Sequence, residues 1–553
     1  MPVLLAVTKA LSMDNPEYVK RKKRGKGTWG VPTKLELYTR QGNDLYLPRG
    51  FIHELGEIIE NVCIKQLRTE PPAITYNYTE GLPASFGPWN PEFTLWPDQQ
   101  DAVLDVLKYD DGTLISPAGS GKTVMGLYVV YMRGRCTLWL THTVDLMEQT
   151  EKKARALLQG VGEVGLLGGG IRRWGSGKLI IGMVDTLNEN PDLIEALKPV
   201  VGTLVIDEAH HFPAQSFLDV AGKFAAKYFY GVTATPDRKD GLERYLYVGV
   251  GPERHRVDRD ILYKTGRLIM PELEFVYTNY GKGEGTVNEE LENVDSGGEE
   301  LDYTAELQAL LADEERLELV ARKIIDEAYN TYSLVLCESV RYCFMLRDKV
   351  AEIFKRELSA YPPRMAVVHG GISKYAWRTA KNEKEALEAV ALGLARKHKY
   401  DPKARRWKIE VEKYSDDEIA AWQVTPTQRR EIMQRMAAKK IDILFATQLA
   451  REGLDIPHLN ILHLATPKRG DNNDAGRTDG ANVEQEVGRV QRPDPANPNK
   501  TAKVIDYVDF NVGVFQQQYY SRRRVYKRLG FKVPPKPRTR KDEIEEFLKS
   551  MPY

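Results

Sequence analysis

Short apolar runs rich in β-branched residues recur along this chain, each followed by a segment of helical periodicity. From Trp96 to about residue 280 the runs are "TLISPA", "TLWLTH", "LIIGMV", "TLVIDEA" and "YFYGVTATP". Runs too short to be helices, alternating with helices, imply parallel strands joined by crossover helices and buried on both faces. After an acidic, glycine-bearing stretch at 281–302 the alternation resumes with "SLVLCES", "RMAVVHGG", "IDILFAT", "NILHLATP" and "AKVIDYV". The fold class is therefore α/β, with two parallel-sheet domains, at about 89–280 and 303–510, joined by an acidic linker.

At 553 residues the chain exceeds one ordinary core several-fold. Residues 1–88 read as a small α+β accessory domain. In it "KLELYT" and "DLYLP" flank a hairpin turn, and "GFIHELGEIIENVCIKQL" carries a helical pattern. "GLPASFGPWNPEF" (81–93) reads as a linker. The second α/β domain is interrupted at about 373–427 by a highly charged stretch of helical pattern, and 511–553 forms a basic tail.

The net charge of +1 does not mark the whole chain as a polyanion binder, but "VKRKKRGKG" (19–27) and "SRRRVYKR" (521–528) are locally basic. The accessory domain is thus a candidate DNA-binding element. Four scattered cysteines exclude a disulfide framework or a cysteine-rich zinc site. No apolar stretch is long enough to span a bilayer, and the expectation is a cytoplasmic protein without a membrane partner.

"LISPAGSGKTVMG" (114–126) sets Ser116, Pro117, Ala118, Gly119, Ser120, Gly121, Lys122 and Thr123 between a strand and a helix. Glycines let backbone amides approach phosphates, Lys122 reaches the terminal phosphates and Thr123 is a magnesium ligand. Ser116 stands where the general formula has glycine. "VIDEAHHFPA" (205–214) ends another strand with Asp207, placed to hold Mg2+, and Glu208, placed to orient attacking water. His210 and His211 are adjacent and point apart, which disfavours zinc.

"SPAGSGKT" followed by "DEAH" resembles the ATPase core of superfamily 2 helicases, and further motifs follow in that family's order. "LWLTHTVDLMEQT" is similar to motif Ia, "IGMVDTL" to Ib and "GVTATP" to III. "AVVHGG", "FATQLAREGLDIP" and "QEVGRVQRP" are similar to second-domain motifs, the last two being V and VI. The resemblance spans about Trp96 to Phe510 and implies two RecA-like domains in tandem. It makes Gln99 the adenine-reading glutamine, although Trp96 and Asp98 replace the arginine and tyrosine common in relatives. It implies nucleic-acid contacts for His142, Thr143, Thr186 and Thr447, and coupling roles for Thr233 and Thr235. Gly453 and Asp455 fall on the nucleotide side, and Gln485, Arg489 and Arg492 act on the γ-phosphate.

"TATPDRKDGLER" and "HTVDLMEQ" look closest to the branch holding the xeroderma type B and phage branch-migration helicases. The implied activity is ATP- and Mg2+-dependent unwinding or remodelling of DNA. The alternatives are a duplex translocase without net unwinding, an RNA helicase, and a recruitment module with a vestigial ATPase. For the tail, "FQQQYYSRRRVYKRLGF" either stacks Tyr519, Tyr520 or Tyr526 on bases or packs them against the second domain.

Overall fold

The computed structural model describes residues 2–23, 28–42, 44–73, 75, 77–211, 219–234, 243–281, 300–358, 362–380, 382–401, 406–447, 456–468 and 483–535. The chain divides into two compact units. The first comprises Met1–Met270 with Asp471–Pro498 and Val525–Gly530, and the second holds the rest.

Among the described residues, the first unit is built on an eight-stranded sheet. Its strands are β5 (Asp111–Ile115), β6 (Thr137–Thr141), β7 (Gly165–Gly168), β8 (Ile171–Arg173), β9 (Leu179–Met183), β10 (Thr203–Asp207), β11 (Tyr228–Thr233) and β12 (Glu253–Arg256). They lie in the order β12-β5-β11-β10-β6-β9-β7-β8. Every pairing is parallel except the β7–β8 hairpin. All residues of β5, β6 and β10 are buried, as expected for strands sandwiched between helices. Parallel strands aim their carboxyl ends at one edge, so the loops after β5, β6, β9, β10 and β11 share it.

The amino-terminal region carries β1 (Ser12–Asp14), β2 (Lys34–Glu36), β3 (Thr39–Gln41) and β4 (Asp44–Tyr46). β3 and β4 form a hairpin, whereas β2 pairs with β1. Val7, Leu11 and Phe51 share a small core with Val248 of the helix Glu243–Gly249. Arg244 donates to Glu54 and to the Ala10 carbonyl. Residues 81–93, expected to link, instead belong for the most part to a strap over the sheet that runs from Thr79 to Asn90. Thr79 N donates to Ala225 O, Leu82 N to Val200 O and Asn90 N to Leu157 O, while Ala84 and Phe86 are buried.

The second unit holds β13 (Glu272–Tyr277), β14 (Ser333–Leu336), β15 (Met365–Val368), β19 (Ile443–Ala446), β20 (Ile461–Leu464) and β21 (Lys503–Val508). These form a six-stranded, wholly parallel sheet in the order β13-β21-β20-β14-β19-β15. Arg316 and Asp509 brace its core as a fully buried pair. Arg316 Nε and Nη2 meet the two carboxylate oxygens at 2.7 and 2.9 Å, and its remaining donors reach Tyr342 and the Ala465 carbonyl.

The insertion at 373–427 corrects the helical expectation. It contains a three-stranded antiparallel sheet of β16 (Tyr375–Ala380), β17 (Lys397–Asp401) and β18 (Arg406–Glu412), beside the helices Glu383–Ala391 and Asp416–Trp422. "KHKYD" and "RWKIEVE" alternate with period two, but their dense charge hid that alternation. Cross-strand rings hold the register, with Tyr400 and His398 each 5.5 Å from Trp407. Trp422 stacks on Phe344, and Lys374 pairs with Asp416 at the insertion's root.

Candidate nucleotide site and nucleic-acid edge

The loop after β5 turns through Gly119 (φ +86°) and Gly121 (φ +93°), conformations costly for any residue with a side chain. Gly121 caps the helix Lys122–Arg133, so that helix's first amides face the loop. Ser116 is fully buried, is not among the residues of positive φ, and bonds through its hydroxyl to Ser120. Ser120 Oγ also donates to Pro117 O at 2.6 Å. A glycine at 116 is therefore not required, and the serine ties the loop's two ends together.

Asp207 ends β10 beside this loop and is 3% exposed. It accepts from Glu208 N at 2.9 Å and from Trp139 Nε1 at 3.3 Å. Burial, with the neighbouring Glu208 charge adding and Lys122 opposing, pushes its carboxyl up to about 6. Glu208 adopts φ +46°, a left-handed conformation that turns the chain sharply after the strand. Its Oε1 stands 3.4 Å from Lys122 Nζ. Its Oε2 is buried without a hydrogen bond, 3.5 Å from His210 Nδ1. The same His210 nitrogen lies 3.0 Å from Thr233 Oγ1, so the "DEAH" turn touches the end of β11 directly. Thr123 is half-buried in the first helical turn.

Motif VI packs on the phosphate loop, within the first unit. A Cβ added to Gly488 would stand 2.5 Å from Ala118 Cβ, and one added to Gly119 would stand 3.4 Å from Arg492 Cγ. Ile269 N donates to Gln491 O, Gln491 Nε2 donates to Tyr263 OH, and Arg259 pairs with Glu484. Arg489 is 8% exposed, whereas Gln485 and Arg492 are half-buried. One sheet edge thus collects Lys122, Thr123, Asp207 and Glu208, with the motif VI segment that carries Gln485, Arg489 and Arg492 packed on the phosphate loop through Gly488 and Arg492. Amides, cations and acidic oxygens in that combination suit a polyphosphate and a hard cation.

Gln99 is buried, with Oε1 accepting from Trp96 N and Nε2 donating to Ser120 O at 2.8 Å. His142 and Thr143 follow β6, and Thr143 Oγ1 caps the helix Val144–Leu157 by accepting from Leu146 N. Thr186 lies in the helix Val184–Glu189 after β9, on the same edge. Thr447 follows β19 in the second unit, 9% exposed. Thr235, Gly453 and Asp455 lie outside the described residues.

Two features escaped the sequence reading. Gly169 and Gly170 form a hairpin tip after β7, where a Cβ on Gly169 would stand 3.1 Å from Val144 Cγ2, beside the start of motif Ia; the run "GGG" at 168–170 was the signal. Arg267 pairs with Asp98, and nothing in its local sequence announced it. The tail resolves toward packing: Tyr519, Tyr520 and Tyr526 are buried, and Arg522 pairs with Asp506 at 2.8 Å.

Residues 92–238 match the family model "Type III restriction enzyme, res subunit", and residues 403–494 match "Helicase conserved C-terminal domain". The two matches carry the motor motifs in order, with "AVVHGG" lying between them. The chain is a superfamily 2 helicase. It is 25% identical to a DNA 3'-5' translocase of Sulfurisphaera tokodaii over 65% of this chain and 72% of that protein. It is 22% identical to a putative ATP-dependent RNA helicase of Acanthamoeba polyphaga mimivirus over 94% and 79%. A probable helicase of Escherichia phage T5 matches at 28% identity over 28% of this chain and 32% of that protein. This helicase uses a nucleotide. Among the described residues no helix is long and apolar enough to cross a membrane.

Proposed function

We propose that this helicase is a DNA motor that hydrolyses ATP with Mg2+ to unwind or remodel duplex, forked or branched DNA. The observation that carries the reading is the packing of the Gly488–Arg492 segment against Ala118 and Gly119 of the phosphate loop, which also presents Lys122 3.4 Å from Glu208. Backbone amides of Ala118, Gly119 and Gly121 cradle the phosphates and Lys122 neutralises them. Glu208 orients the attacking water, and Arg489 and Arg492, with Gln485 beside them, meet charge that develops on the γ-phosphate. The Thr123 hydroxyl and the Asp207 carboxylate are hard oxygens suited to Mg2+, which when bound neutralises phosphate charge. His210, between Glu208 and Thr233, relays phosphate state toward the nucleic-acid edge formed by His142, Thr143 and Thr186. Thr235 joins Thr233 in the expected coupling pair, Gly453 and Asp455 belong to the nucleotide side, and Thr447 is a further nucleic-acid contact.

DNA is favoured because the Sulfurisphaera relative is named for DNA, and so is a putative DNA 3'-5' helicase of Halobacterium salinarum, 31% identical over 33% of this chain. The mimivirus relative, named for RNA, makes an RNA helicase the second reading. ATPase turnover measured in parallel with single-stranded, duplex and forked DNA and with RNA separates them. Stimulation by DNA above RNA is expected, absent in Lys122→Ala. Stimulation by RNA alone overturns the DNA reading, and near-normal turnover in Lys122→Ala overturns the site.

A further inference from the structure

Asp207, the carboxylate offered to Mg2+, takes one of its two hydrogen bonds from a residue 68 positions earlier in the chain. Its Oδ1 accepts from Glu208 N at 2.9 Å, and its Oδ2 accepts from the indole Nε1 of Trp139 at 3.3 Å. Trp139 stands in the middle of β6 opposite Val205 of β10. Side chains alternate along a strand, so Trp139, Val205 and Asp207 share one face of the sheet. The helix Lys122–Arg133, which follows the phosphate loop, packs on that face: its Met125 and Val129 belong to the same core as Trp139 and Val205. The indole is fully buried, and its far end is lodged against Gly126 of that helix. A Cβ added to Gly126 would stand 2.7 Å from Trp139 Cη2 and 3.1 Å from Cζ3. One end of the ring thus bonds Asp207, and the other fills the space that a missing side chain leaves.

We propose that Trp139 is a positioning residue that fixes the Asp207 carboxylate for the metal ion, with Gly126 making room for the indole. The inference rests on the Mg2+ reading above and adds the group that stands behind the ligand. The last torsion of an aspartate is broad, so its own rotamer preference does not select one orientation of the carboxylate. Donors on both oxygens do select one, and each oxygen keeps a lone pair for a cation. An indole N–H suits this task because it only donates, and because so large a ring cannot turn in a packed core. Phenylalanine at 139 would fill much of the same space and lose the donor.

The test titrates Mn2+, a hard cation visible by electron paramagnetic resonance, into the full chain holding a non-hydrolysable ATP analogue, and measures analogue binding separately in EDTA. Trp139→Phe should raise the Mn2+ dissociation constant about tenfold while metal-free analogue affinity stays within about twofold. The Mg2+ concentration for half-maximal ATP hydrolysis should rise by the same factor. Gly126→Ala pushes on the far end of the indole and should weaken Mn2+ binding in the parent. In the Trp139→Phe background, whose smaller ring leaves room for the methyl group, it should change Mn2+ binding by less than about twofold. An unchanged Mn2+ constant in Trp139→Phe overturns the proposal. So does an equal loss of metal-free analogue binding, which makes the tryptophan a packing residue only, and so do additive losses in the double variant. If Trp139→Phe unfolds, Gly126→Ala decides, and an unchanged Mn2+ constant there overturns the proposal. Asp207→Asn is the separate control: it must lose Mn2+, and retention there indicts the metal reading itself, whereas loss there beside an unchanged Trp139→Phe indicts Trp139 alone.

Discussion

Glu208→Gln isolates what the carboxylate charge contributes, because glutamine keeps the shape and leaves the residue at φ +46° no more strained than glutamate. Glu208 Oε1 and Lys122 Nζ are 3.4 Å apart, with side chains 17% and 11% exposed. At an effective dielectric of about 20, opposite charges at that separation attract by roughly 5 kcal/mol before hydration is returned. Nucleotide binding must draw Lys122 from Glu208 toward phosphate. If only about 1 kcal/mol of the attraction survives as a net cost, removing the charge tightens ATP binding about fivefold. Loss of the oriented water lowers turnover by about 100- to 10,000-fold in the same variant. Equilibrium titration with ATP beside single-turnover hydrolysis, each with and without DNA, reads both effects. Turnover within a few-fold of the parent refutes the assignment of Glu208, and weakened ATP binding refutes the account of its pairing with Lys122.

Arg492→Ala should reduce kcat by about 1,000-fold or more with little change in nucleotide affinity, and lysine should rescue poorly; turnover within a few-fold of the parent transfers the role to Arg489. Asp509→Ala strands the buried Arg316 guanidinium and should cost the second unit about 3–5 kcal/mol, while Arg316→Met with Asp509→Leu should cost less than the single change. Urea unfolding of the full chain checks this, and additive losses would reject the coupling. Burial alone would raise the Glu274 and Glu327 carboxyls, but their bonds to Lys323 and Lys503 outweigh it and hold both below the ordinary range. Both therefore stay ionised in the folded protein at pH values that protonate them in the unfolded chain. Their stabilisation is complete above about pH 4.5 and falls away as the pH drops further. Glu327→Gln should flatten that acid slope in urea unfolding at pH 3–6, and an unchanged slope would discount the cluster.

Sequence alone determined the parallel sheets and the position of the phosphate loop, motif Ia, "DEAH" and "GVTATP" at strands' carboxyl ends. Apolar runs, glycines and "DEAH" are local properties, and a parallel strand has only one end at which its loop can gather with others. Reading failed where the deciding partner was far away in the chain. The charged strands of the insertion carried a helical pattern until Trp407 met Tyr400 across the sheet. The tail's tyrosines read equally as stacking on bases or as packing until their burial, with Arg522 paired to Asp506, decided for packing. Ser116 looked like a defect until Ser120 met it, and Asp98 looked like a lost contact until Arg267 arrived from 169 residues away. A spacing rule can see residues that share one turn or one loop, but not a pair whose distance is set by how a whole sheet closes. For that reason the phosphate chemistry was legible in the sequence, whereas the pairing of Arg267 with Asp98 and the contact of motif VI with the phosphate loop were decided by the tertiary structure.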